Sequence, residues 1–103
     1  MSAPMLDRDR EVILVDALRV YGEAAQVRMF VEEAGELMTA LMQRTRDRVG
    51  IDDVVDEIAD VQIILWQLMM MHDMRLVNAA IHRKMARLDE RLRLTKAGKR
   101  SWP

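Results

Sequence analysis

Apolar residues recur at three- and four-residue intervals along almost the whole chain, and strict alternation of apolar and polar positions is absent. That periodicity predicts helices and no strands. Proline occurs only at positions 4 and 103, so nothing breaks a helix between them. The punctuation predicts four helices. The first runs over about 7–21, with Asp7 suited to its N-cap and Gly22 to its end. The second covers about 23–45 and closes in the Arg-rich stretch Arg44, Arg46 and Arg48 before Gly50, where cations complement the helix dipole. The third covers about 52–72 and the fourth about 75–95. Lys96, Lys99 and Arg100 around Gly98 make residues 96–103 a basic tail. Short connections between helices of similar length predict one all-α domain over residues 1–95, folded as an antiparallel four-helix bundle.

The third segment goes further. From Val54 to Met71 it is apolar on nearly every side, through Val55, Ile58, Val61, Ile63, Ile64, Leu65, Trp66, Leu68, Met69 and Met70. A helix apolar all round must be covered all round, and a lone four-helix unit leaves one side of each helix wet. A homo-oligomer with this helix at the subunit interface is therefore expected. Trp66 falls on the side of that helix away from its acids and reads as core or interface, and the ten methionines as adaptable packing.

Composition narrows the function classes. Sixteen Lys and Arg against seventeen Asp and Glu give a net charge of −1, which argues against general nucleic-acid binding. The absence of cysteine rules out disulfides and thiolate metal sites. Nothing in Met1-Ser2-Ala3-Pro4 and the charged residues after it resembles a signal peptide. The longest apolar stretch, Val61 to Met71, contains Gln62 and Gln67 and is too short and too polar to span a bilayer. A cytoplasmic protein with no membrane partner is expected.

The candidate chemistry lies in two carboxylate pairs. Glu33 and Glu36, preceded by Glu32, fall on the second helix, and Glu57 and Asp60 on the third. Spacing of i, i+3 puts each pair on one helix face, roughly 5–6 Å apart. All four lie on or beside an apolar stripe, marked by Met29, Phe30, Leu37, Ala40 and Leu41 on one helix and Val61, Ile64 and Leu68 on the other. A stripe faces other helices, so the acids should converge at the seam. Like charges about 4 Å apart repel by about 4 kcal/mol at an effective dielectric near 20, so such a cluster holds protons or binds metal. One such pair alone more often marks a solvated helix face; two pairs, both on apolar stripes and separated by a hairpin's length, favour a site. An all-oxygen ligand set suits Mg²⁺ or Mn²⁺. On the fourth helix Lys84, Arg87 and Arg91 border the stripe of Val77, Ile81 and Leu88, where they either meet phosphates or snorkel along the stripe edge. His72 and His82 form no ligand pattern, and the absence of Glu-x-x-His excludes the di-iron site of ferritin-like bundles.

Tyr21-Gly22-Glu23-Ala24-Ala25-Gln26, Val31-Glu32-Glu33-Ala34-Gly35-Glu36-Leu37 and Asp56-Glu57-Ile58-Ala59-Asp60-Val61 together resemble the MazG-like nucleoside triphosphate pyrophosphohydrolases of the all-α NTP pyrophosphatase superfamily. The likeness covers roughly residues 20–92. It rests on a Glu-Glu-x-x-Glu on one helix and a Glu-x-x-Asp on the next. The resemblance implies that Glu33, Glu36, Glu57 and Asp60 bind Mg²⁺, that Glu32 is the candidate general base, and that Gln26, Lys84 and Arg87 touch substrate. It also implies hydrolysis of a nucleoside triphosphate to monophosphate and pyrophosphate by a dimer or tetramer. His82 departs from the pattern, since many relatives carry asparagine there. Two rivals remain: a non-catalytic helical interaction module, and a related enzyme specific for dUTP or phosphoribosyl-ATP.

Overall fold

Four helices stand where the apolar periodicity puts them. The computed structural model describes residues 7–46 and 50–98. Within it α1 spans Asp7–Tyr21, α2 Glu23–Thr45, α3 Ile51–His72 and α4 Met74–Lys96. No strand occurs among the described residues. Arg48, the N-terminal residues 1–4, Lys99 and Arg100 of the basic tail, and the side chain of Asp7 as an N-cap lie outside what is described. The chain divides into two compact units, Met1–Met71 and His72–Pro103. The first holds α1, α2 and all but the last residue of α3; the second is built on α4.

A single residue separates α1 from α2. Gly22 has φ of 86°, a left-handed angle that costs an L-residue roughly 1–2 kcal/mol and glycine almost nothing. Its N–H donates to the Leu18 carbonyl at 2.9 Å, finishing α1, and its carbonyl accepts from the Gln26 N–H at 3.2 Å, starting α2.

Inward stripes explain how the first unit packs. On α2, Gln26, Phe30, Glu33, Leu37 and Ala40 recur at alternating four- and three-residue spacing, and all are buried or half-buried. On α3, Val54, Glu57, Val61, Ile64 and Leu68 do the same. Glu33 and Glu57 thus occupy stripe positions that are otherwise mostly apolar. α1 contributes Leu14, which is buried. Gln26 and Gln67 are buried too, and they satisfy one another. Gln26 Nε2 donates to Gln67 Oε1 at 2.7 Å, and Gln67 Nε2 donates to the Leu14 carbonyl at 3.3 Å. An unbonded buried amide would cost about 1–3 kcal/mol.

Little apolar surface is fully covered. Among the described residues only Leu14, Ala40, Val54 and Ile64 form the buried apolar core. On α3, Val55 is 54% exposed and Ile58 51%. Val31, Met38 and Met42 of α2, Val12 and Ile13 of α1, and Leu76 and Met85 of α4 are exposed as well. No helix among the described residues is long and apolar enough to cross a membrane.

α4 starts on a side-chain cap. Asp73, with φ of 147°, accepts from the backbone N–H groups of Arg75 at 3.0 Å and Leu76 at 3.4 Å. Asp73→Ala should therefore cost about 1 kcal/mol, and Asp73→Gly only a few tenths, because glycine tolerates both the cap position and the positive φ. Thermal melts followed by circular dichroism check this. Midpoints equal to wild type in both variants would mean that neither the cap nor the backbone angle matters.

Candidate metal centre

The seam between α2 and α3 brings three carboxylates together. Glu33 and Glu36 on α2 and Glu57 on α3 each offer an oxygen, and the three oxygens lie within 4.8 Å of one another. Glu33 and Glu57 are half-buried because their stripe positions turn them inward, whereas Glu36 is exposed at the rim. Glu33 Oε2 and Glu57 Oε2 are buried with no hydrogen-bond partner. Buried polar atoms are nearly always bonded, so these two orphans call for an explanation.

The electrostatics agree with the geometry. Burial pushes the Glu33 carboxyl above its ordinary 4.5, and the charges of Glu36, Asp60 and Glu57 push it further. The Glu57 carboxyl is raised by burial first, then by Glu36 and Asp60. Ionised carboxylates only accept hydrogen bonds, so Glu36 can bond to Glu33 or Glu57 only while a proton sits between them. Protons or a cation would relieve this repulsion. Converging oxygens with unused lone pairs and no nitrogen or sulfur donor fit a hard divalent ion such as Mg²⁺.

The other sequence candidates are distributed unevenly around this centre. Asp60 is exposed and stands outside the three-oxygen group, though its charge is felt by Glu33 and Glu57. Glu32 lines a groove of about 680 Å³ together with Glu36 and Glu57. Gln26 is brought to Gln67 in the core. Lys84, Arg87 and His82 are exposed on α4, in the second unit. Trp66 is half-buried, with the Arg10 guanidinium 4.0 Å from the centre of its ring, a cation–π contact.

Asp53, Thr39 and Gln43 also line the groove, and the motif spacing did not single them out. Asp53 precedes Glu57 by one helical turn, so i, i+4 spacing carried the signal for it. Thr39 and Gln43 follow Gly35 at the same interval, with nothing in residue type to distinguish them from a solvated face.

Gly35 lies in the middle of α2 and lines the same groove, and a Cβ built there meets nothing within 4 Å. Gly35→Ala should stabilise the helix by about 0.5–1 kcal/mol. A thermal melt followed by circular dichroism reads the effect, and an unraised midpoint would overturn it.

No family model, curated protein or solved structure matches this chain.

Proposed function

We propose that this chain is a Mg²⁺-dependent nucleoside triphosphate pyrophosphohydrolase of the MazG-like kind. One observation carries the reading: Glu33, Glu36 and Glu57 converge from two helices to within 4.8 Å, and two of their oxygens are buried without a partner. Those three residues would hold the ion, with Asp60 adding negative charge at the exposed edge. When bound, Mg²⁺ neutralises triphosphate charge and polarises the phosphorus–oxygen bonds. Glu32, on the groove wall, accepts the proton of the attacking water. The water oxygen bonds to the α-phosphorus, the bond to the bridging oxygen breaks, and pyrophosphate leaves. Lys84 and Arg87, exposed cations three residues apart on α4, suit phosphate oxygens. For Gln26 a substrate contact would require it to leave Gln67. The cytoplasm is the setting that supplies such a substrate.

The assembly belongs to the same reading. Gln26, early in α2, meets Gln67, late in α3, while Glu33 and Glu36 further along α2 meet Glu57 early in α3. That order supports an antiparallel hairpin. The exposed apolar residues on every helix support a homo-oligomer, a dimer or tetramer, that covers them. The same exposed residues favour the rival reading of a non-catalytic interaction module.

Pyrophosphate release from a panel of ribo- and deoxynucleoside triphosphates and phosphoribosyl-ATP, with and without Mg²⁺, tests the proposal. Release with one or more substrates, dependent on the ion, is the expected result. Absence of release throughout, with no binding of Mg²⁺ or Mn²⁺, would leave the interaction module in its place.

A further inference from the structure

Among the described residues of the first unit, the most deeply buried polar side chain lies outside the carboxylate cluster. Gln67 is 1% exposed and Gln26 is 8% exposed, and the two residues are 41 apart in sequence. Gln67 occupies both ends of its amide: Oε1 accepts from Gln26 on α2, and Nε2 donates to the Leu14 carbonyl on α1. The link therefore ties three helices at one point. Gln26 precedes Glu33 by seven residues on α2, and Gln67 follows Asp60 by seven on α3. Seven residues are two turns, so Gln26 shares a helix face with Glu33, and Gln67 one with Asp60, a turn beyond Glu57 on α3.

We infer that the Gln26–Gln67 pair is a positioning device that fixes the register of α2 against α3 and so makes the carboxylates of Glu33, Glu36 and Glu57 converge. The inference rests on the metal reading above. An apolar seam does not choose one register sharply. A slide of α3 by one turn, about 5.4 Å, would exchange one apolar contact for another of similar kind. A slide of that size displaces Glu57 along the seam by more than the 4.8 Å within which the three oxygens now lie. The amide pair opposes it, because any other register leaves two buried amides and their partners unbonded. A single buried polar contact that specifies alignment at some expense of stability is known from helical assemblies. Here the aligned object is a ligand set.

The test uses the pair's own chemistry. Methionine matches glutamine in length and volume, and replacing both partners with apolar groups leaves no orphaned amide. Gln26→Met/Gln67→Met should thus melt close to wild type. The absence of cysteine allows spin labels to be attached through Arg28→Cys and Gln62→Cys, exposed positions on α2 and α3. Dilution with unlabelled chain restricts the reading to pairs within one molecule. With the native pair, one narrow distance is expected; with the double variant, a broadened distribution or one shifted by about 5 Å. Mn²⁺ affinity should fall about tenfold in the double variant, as when a group that orients a metal ligand is lost. A merely structural pair would move the melting point without moving these two readouts. Wild-type distances and wild-type Mn²⁺ affinity in the double variant would overturn the inference alone. Failure of the wild type to bind Mn²⁺ would overturn the metal reading and the inference with it. Should the double variant not fold, Gln26→Met, which keeps Gln67 on Leu14, is held to the same outcomes.

Discussion

Glu57→Gln is expected to reduce pyrophosphate release at least about a hundredfold while leaving the metal-free fold as stable as before or more so. The substitution keeps the volume and one oxygen of the side chain and removes its charge. In the folded chain that charge opposes Glu36 and Asp60 from a partly desolvated position. Its loss relieves repulsion and, on the proposed function, at the same time removes a ligand. Even groups one step removed from a metal are worth about 10–100-fold in affinity or activity, so a direct ligand should reach at least the upper figure. The pairing of lost turnover with retained stability excludes misfolding as the cause. Asp60→Asn should have a smaller effect, since Asp60 stands outside the three-oxygen group. Steady-state pyrophosphate release and a melt of the metal-free protein are the two measurements. Wild-type turnover in Glu57→Gln would be incompatible with the site.

The second large effect links protons and Mg²⁺ to stability. Glu33 and Glu57 have carboxyls raised above 4.5 in the folded chain, so the folded state holds their protons more tightly than the unfolded state does. Their contribution is fully present below the unfolded value and is lost as pH rises through the raised folded values. Without divalent ions, the midpoint contributed by these groups should therefore decline from about pH 4.5 upward, and Glu33→Gln/Glu57→Gln should lack that decline. Mg²⁺ needs the ionised forms, so its stabilising effect should grow over the same interval. At a hundred times its Kd a ligand specific to the folded state contributes about 2.7 kcal/mol. For a domain of this size that corresponds to a rise of roughly 10–20 °C. Melts at stepped pH with and without Mg²⁺ read both trends. A midpoint indifferent to millimolar Mg²⁺ and Mn²⁺ would favour the interaction module.

The helices were legible because their punctuation is simple. Gly22 and Gly50 carry the breaks, and periodicity carries the rest. The joint before α4 was less legible: His72-Asp73-Met74 contains neither glycine nor proline, and only the carboxylate of Asp73 marks the start. The acids were legible in part. Their i, i+3 spacing and their place on apolar stripes indicated convergence, and Glu33, Glu36 and Glu57 do converge. Spacing along a helix does not give reach across a seam, which is why Asp60 looked equivalent to Glu57. Gln67 was read only as an interruption in an apolar run. Nothing in one sequence says that a glutamine there meets another 41 residues away.

The exposed methionines of α2 and α4 have a chemical consequence. Met38, Met42 and Met85 reach solvent in the single chain, so peroxide can convert each to a polar sulfoxide. Any copy or partner laid over those faces would shield the thioethers and would in turn be repelled once they are oxidised. The rate of sulfoxide formation at each position therefore maps, residue by residue, which part of the surface is covered.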